Sequence, residues 1–348
     1  MINYRSHLVL TKTPIREALN QLTTLGIDAI LFVIDKEDKL LGSITDGDVR
    51  RGLVKGIEID EAIDNIITST PKFIRKNNFN LKDIILFREQ NFRIIPVVDM
   101  ENRVVNVINF RNLKSYLPLD VVIMAGGRGE RLRPLTDLTP KPLMSVGDKE
   151  IIIHNLERLL SFGVSNIWIT VRYLKEKIIA KIGNGQNLGV AINYISEDEP
   201  LGTIGAVSLI SNFEHEYVLI MNSDILTNLD YEQFFLDFIE NESDFSVATI
   251  PYTVSIPYAI LETEKNKIKN FQEKPTYTYY ANGGIYIVKK SILNRIPAGK
   301  TFNATDLLED LIKNNYKVTT FPLRGYWLDI GNHEDYKKAN EDVGFIKF

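Results

Sequence analysis

From Val121 onward the chain alternates short apolar runs with amphipathic segments of helical period, and this alternation constrains its fold more than any other feature. Strand-like runs at 121–125, 166–171, 190–195, 217–221 and 244–249 are separated by helical patterns at 151–162, 174–182, 204–210 and 231–240. Neighbouring parallel strands need crossovers of about a dozen residues, and amphipathic helices supply them. The pattern predicts an α/β fold, Rossmann-like, with a mostly parallel mixed sheet covered by helices on both faces. In such sheets ligands gather at the carboxyl ends of the strands.

Residues 1–117 follow a different order. A helical pattern at 14–25, a strand at 29–35, a polar turn, a strand at 40–45 and a short helix opening at Asp46 are followed by the same series again. The second copy has a helix at 81–90, a strand at 94–99, a turn through Glu101 and Asn102, a strand at 104–108 and a short element at Phe110. Asp99 lies 64 residues after Asp35, Ile108 64 after Ile44, and Asn112 64 after Asp48. A constant offset over three landmarks marks a tandem repeat. Pro118 interrupts strand pairing near 115–120, so the boundary is placed between a repeat unit, 1–117, and a larger domain, 118–348.

Composition narrows the function classes. With 44% hydrophobic and 25% charged residues the chain is an ordinary globular protein rather than a disordered one. Its 41 basic residues against 45 acidic ones give no field suited to sequence-independent nucleic-acid binding. The absence of cysteine removes disulfides, thiolate nucleophiles and thiolate metal sites. The longest apolar stretches are strand-sized, and Asn3, Tyr4, Arg5 and His7 stand where an apolar signal core would be. The expectation is a cytoplasmic protein with no membrane association.

The segment GSITDGDVRRGL, 42–53, resembles the end of a CBS unit, and the repeat as a whole resembles a tandem CBS pair. In that family a Ser or Thr followed three residues later by Asp binds a nucleotide's phosphate and ribose, which implies an adenine or guanine nucleotide at Thr45 and Asp48. A hydroxyl donates to phosphate and a carboxylate accepts from ribose hydroxyls. The second copy has Asn109 and Asn112 instead. The other reading of Asp46 and Asp48 is that they only place negative charge at a helix start. CBS pairs commonly dimerise through their helices, so the resemblance also implies a homo-oligomer, with 81–90 as a candidate face.

Directly after the strand at 121–125 stands AGGRGERLRPLTDLTPKPL, 125–143. Its glycines let backbone amides approach an anion, and its Arg and Lys side chains supply positive charge around it. It lacks the Lys-Ser/Thr pair of a Walker loop and the distant acidic residue of a dinucleotide site. The string resembles the signature of sugar-1-phosphate nucleotidylyltransferases, and EPLGTIGA, NSD, FQEKP, ANGGIY and WLDIG follow in that family's order. The resemblance implies nucleotide contacts at Ala125, Gly126, Gly127 and Gly202. It also implies that Arg131 stabilises departing pyrophosphate and that Lys141 binds the α-phosphate and the attacking sugar phosphate. Asp224 and Asp329 would hold Mg²⁺, a cation that prefers hard oxygen ligands. Without metal, Asp224 would merely cap the next segment and Asp329 form a turn. Arg128 and Arg133 are left outside the site as solvated loop residues.

The sugar side is carried, by the same resemblance, by Glu273, Lys274, Asn282 and Gly283, the last replacing the family's usual Ala. The base side rests on Glu197, where thymidylyl members have Gln. Guanine presents two adjacent donors, which one carboxylate accepts together, so Glu197 favours guanine unless it simply faces water within the acidic run at 197–199. The substrates expected are a nucleoside triphosphate, GTP first, and a sugar 1-phosphate. The CBS combination resembles the guanylyltransferases acting on glucosamine 1-phosphate in legionaminic acid synthesis. Mannose 1-phosphate, a thymidylyl or cytidylyl activity, and a non-catalytic nucleotide sensor stay open. Only about 17 residues follow Gly331, so a monofunctional enzyme is expected.

Overall fold

The computed structural model of the chain describes residues 4–76 and 78–346. Two units separate within it: Met1–Pro118 with Ser161–Gly163, and Leu119–Leu160 with Val164–Phe348.

In the first unit, β1 (Leu8–Leu10), α1 (Ile15–Leu25), β2 (Ile30–Ile34), β3 (Leu40–Thr45) and α2 (Asp46–Val54) are followed by β4 (Ile74–Arg75), α3 (Leu81–Glu89), β5 (Ile94–Val98) and β6 (Val104–Asn109). Each half forms a three-stranded sheet whose first strand pairs parallel with the second and whose second pairs antiparallel with the third. The repeat extends to atoms. Asp35 Oδ1 accepts from the backbone of Glu37 and Lys39, and Asp99 Oδ1 accepts from that of Glu101 and Arg103. Strand alternation divides the core: Leu31 and Val33 pack beneath Ile15, Ala18 and Leu22, while Phe32 and Ile34 join Ile94, Val98, Val104 and Val107.

The halves differ after their third strands. Thr45 and Asp48 form a reciprocal capping box that starts α2. At the matching place the Asn109 side chain donates to Asp28 Oδ2 (2.9 Å) and accepts from Arg111 N (2.9 Å), and the chain turns without a helix. The element expected at Phe110 is therefore a turn.

The second unit runs β7 (Leu119–Ala125), β8 (Ser145–Val146), β9 (Lys149–Glu150), α4 (Ile151–Ser161), β10 (Asn166–Val171), α5 (Lys175–Ile182), β11 (Ala191–Ser196), β12 (Tyr217–Asn222), β13 (Ile225–Thr227) and α6 (Tyr231–Glu240). It continues through β14 (Phe245–Ser255), β15 (Ile260–Glu264), β16 (Lys267–Gln272), β17 (Thr276–Lys289), α7 (Ala304–Lys313), β18 (Val318–Pro322), β19 (Trp327–Asp329) and α8 (His333–Asp342). Seven strands form one sheet in the order β11-β10-β7-β12-β17-β14-β18, and within it only β17 runs against the rest. The buried faces of β12, β14 and β17 meet α7 in one apolar cluster. The helix expected at 204–210 is a short 3-10 turn, Gly205–Leu209, with Val207 N bonded to Ile204 O and Ile210 N to Val207 O, and its first two N–H groups, of Ile204 and Gly205, both reach Phe302 O.

Candidate active site

The strand order determines where a ligand can enter. The chain moves outward from β7 to β10 and β11, then returns to β12 on the other side of β7, so the loops leaving β7 and β12 diverge. A cavity of about 270 Å³ opens at this switch point. Gly126 and Gly127 line it after β7, Thr170 and Arg172 at the end of β10, Glu197 after β11, and Asn222, Ser223 and Asp224 at the end of β12. Lys141 and Gly202 complete the wall, and Ala125 is the buried last residue of β7. Six residues expected at the site, from motifs spread over about 100 positions, thus share one cavity.

Asp329 reaches the same place through a small second sheet. β13 and β19 pair antiparallel with Ile225 opposite Asp329, and Ile330 N donates to Asp224 O at 3.0 Å, so the register sets the two aspartates side by side. The buried Lys141 is ion-paired with Asp224, and its Nζ lies 3.9 Å from Asp329 Oδ1. Oδ1 of Asp224 and Oδ1 of Asp329 are both buried without a hydrogen-bond partner. Burial, reinforced by the Asp224 charge, pushes the Asp329 carboxyl above the usual carboxylate range, against the pull of Lys141 and Arg131.

Asp329 is outside the cavity lining, but the two unsatisfied carboxylate oxygens, both beside Lys141, fit a hard divalent cation completed by phosphate oxygens and water. No group of three His, Asp or Glu residues gathers as a metal site among the described residues, so these two carboxylates alone would hold it. Arg131 sits in the 3-10 turn Glu130–Leu132, exposed and outside the cavity lining, with its guanidinium against Gly331. Arg133 is paired with Asp137 at 3.3 Å.

Glu197 is 7% exposed, which excludes the reading that it faces water. Its Oε2 accepts from Leu201 N at 3.2 Å, and its Oε1 lies so near Gly126 that a β-carbon there would come within 2.6 Å. Burial raises its pKa, partly offset by the Leu201 hydrogen bond and the Arg172 charge. Gly202 has φ +77°, and a β-carbon would meet Phe302 O at 2.7 Å, so only glycine serves there.

The four residues expected on the sugar side do not line the cavity. Glu273 and Lys274 are exposed after β16. Asn282 Nδ2 donates to Tyr286 Oη and its Oδ1 accepts from Gly284 N. Gly283 is explained by packing: a β-carbon would stand 2.6 Å from Ala248 O on β14. In the first unit, the Asp48 carboxylate is engaged by Thr45 N (2.9 Å), Thr45 Oγ1 (2.7 Å) and Arg51. Thr170 and Arg172 escaped the sequence reading. Their signal was a polar residue at the carboxyl end of a parallel strand.

A model of the CBS domain family matches residues 7–55, and one described as "Nucleotidyl transferase" matches residues 120–344. The mannose-1-phosphate guanyltransferase of Schizosaccharomyces pombe is 30% identical over 227 residues, 63% of this chain and 62% of that protein, so this chain spans under two thirds of its relative's length. A solved structure titled a putative glucose-1-phosphate thymidylyltransferase from Bacillus anthracis superposes with TM-score 0.54 at 25% identity, covering 66% of this chain and 97% of that one. HddC from Yersinia pseudotuberculosis, complexed with GMP-PN, gives TM-score 0.50 at 29% identity over 65% of this chain and 99% of that one. With its family match running from the start of β7 to α8 and beyond, the chain belongs to the nucleotidyl transferase family and carries a CBS domain ahead of the transferase.

Proposed function

We propose that the chain transfers GMP from GTP to a sugar 1-phosphate, releasing pyrophosphate. The observation that carries the guanine assignment is Glu197: a buried carboxylate within the cavity that also holds Lys141 and Asp224. A carboxylate matches the paired N1–H and N2–H donors of guanine, and the mixed edge of thymine offers it only one donor. The names of the S. pombe relative and of the GMP-PN complex agree with this base.

In the reaction, an oxygen of the sugar phosphate attacks the α-phosphorus, the bond to the β,γ-pyrophosphate breaks, and pyrophosphate leaves in line. No covalent enzyme intermediate is needed. Gly126 and Gly127 let the triphosphate approach the backbone, Lys141 brings positive charge to the α-phosphate, and Arg131, outside the cavity lining beside Gly331, would meet pyrophosphate as it leaves. Asp224 and Asp329 would hold Mg²⁺, which when bound neutralises charge on the transferred phosphoryl group and on pyrophosphate.

Glucosamine 1-phosphate is the first sugar to test, on the CBS resemblance, and mannose 1-phosphate the second, on the relative's name. Pyrophosphate release across four nucleoside triphosphates and these two sugar phosphates decides both substrates. The highest efficiency with GTP is expected; a higher one with thymidine triphosphate would reject guanine.

A further inference from the structure

The cavity holds a second cation that the reaction just described leaves unused. Arg172 follows β10, is half-buried and lines the same wall as Glu197 and Thr170. Among the described residues its guanidinium makes neither hydrogen bond nor close ion pair, so five N–H donors are left to water or a ligand.

Its place in the sheet limits what it can contact. Arg172 leaves β10, whereas Asp224 leaves β12, and β7 lies between them. Two strand spacings put roughly 10 Å between these exits. Arg172 therefore stands with Glu197, on the half of the cavity away from Lys141 and the aspartates.

We propose that Arg172 donates to O6 of guanine while Glu197 accepts from N1–H and N2–H, so that the two residues read the whole Watson-Crick edge. This rests on the guanine assignment above and adds a residue to it. The guanine edge runs acceptor, donor, donor, and the wall supplies donor, acceptor, acceptor. Adenine would present an amino group to the guanidinium and leave Glu197 without a donor at N1, so the pair rejects it. The positive charge also eases burial of the Glu197 carboxylate before nucleotide arrives.

The test uses the full chain with Mg²⁺ and one sugar 1-phosphate, and compares kcat/KM for GTP, inosine triphosphate and 2-aminopurine riboside triphosphate. The first two carry O6 and N1–H; the third has neither and keeps only the 2-amino group, which inosine lacks. Arg172→Met should lower efficiency with GTP and inosine triphosphate alike, by roughly 5- to 150-fold. It should change the 2-aminopurine nucleotide far less, so the preference of the unmodified protein for GTP over that analogue narrows by that factor, while the share owed to N1–H at Glu197 remains. Arg172→Lys, which keeps a donor, should recover part of the loss, and melting curves show whether either variant folds. Equal losses with all three nucleotides would assign Arg172 to the triphosphate or to scaffolding and overturn the proposal, as would no loss. The unmodified protein supplies an independent check: failure to prefer inosine triphosphate over the 2-aminopurine nucleotide overturns O6 reading whatever the variants do. A preference for thymidine triphosphate over GTP would instead reject the underlying guanine assignment.

Discussion

Replacing Gly126 by alanine tests whether the phosphate loop and the base pocket are one construction. The β-carbon would stand 2.6 Å from Glu197 Oε1, against 3.4 Å where ordinary contact begins, so the carboxylate must retreat by about 0.8 Å. The backbone raises no objection, since Gly126 is not among the residues with positive φ. A retreat of that size breaks the 3.2 Å bond from Leu201 N and moves Oε1 out of reach of the base. Leaving a buried hydrogen-bonding group unmatched costs about 1–3 kcal/mol, or roughly 5- to 150-fold in kcat/KM. The variant should lose that factor with GTP and little with thymidine triphosphate, measured as initial rates of pyrophosphate release. Gly127→Ala is the control, because its β-carbon meets nothing within 4 Å, and any effect there should fall on all triphosphates alike. A Gly126→Ala protein with an unchanged ratio of GTP to thymidine triphosphate efficiency would refute the argument.

Asp224→Asn and Asp329→Asn should each remove most Mg²⁺-dependent turnover while the melting temperature stays near that of the parent; near-normal turnover in either would free that residue from the metal role. Because burial raises the Glu197 pKa, preference for GTP should weaken as pH falls through that raised value and the acceptor becomes a donor. The stability sign is opposite: protonation of Glu197 favours the fold below the ordinary carboxylate pKa, and this contribution is lost as pH rises through the folded value. Glu197→Gln should therefore melt no lower than the parent at pH 8, and a large drop there would contradict burial as the cause. In the first unit, Asp48→Ala removes half of a capping box and should cost about 0.5–2 kcal/mol in calorimetry of the full chain. The Arg51 pair adds little, because Arg51 is 64% exposed, and no measurable change would mean the cap is energetically idle.

The sheet was legible because its strands are buried and apolar while its crossovers keep a helical period. β10 and α6 have the bounds their patterns indicate, and the repeat offset of 64 reproduces even the Asp35 and Asp99 turns. The segment at 204–210 misled because its apolar residues fit a helix of either kind, and over so short a run the backbone closes i to i+3 bonds, Val207 N to Ile204 O and Ile210 N to Val207 O. Among site residues, those in glycine-bearing strings could be read directly, since close backbone approach leaves a glycine behind. The pairing of Asp224 with Asp329 came only from the family resemblance, because residue patterning alone does not give the β13–β19 register between segments about 100 residues apart. Arg172 escaped for a related reason: alone it is one more cation, and only the sheet order puts it beside Glu197. At Gly283 the structure adds a packing constraint that the string did not show, since a β-carbon there would meet Ala248 O on β14.

The most direct test of nucleotidyl transfer follows the phosphorus atoms. The protein is incubated with Mg²⁺, glucosamine 1-phosphate or mannose 1-phosphate, and GTP labelled with ³²P at either the α or the γ position, and the products are separated. Transfer at the α-phosphorus predicts α-label in a nucleotide sugar and γ-label in pyrophosphate, formed in equal amounts, with both lost in Asp224→Asn. Label from the γ position in orthophosphate or in a phosphorylated sugar, with no nucleotide sugar formed, would contradict it.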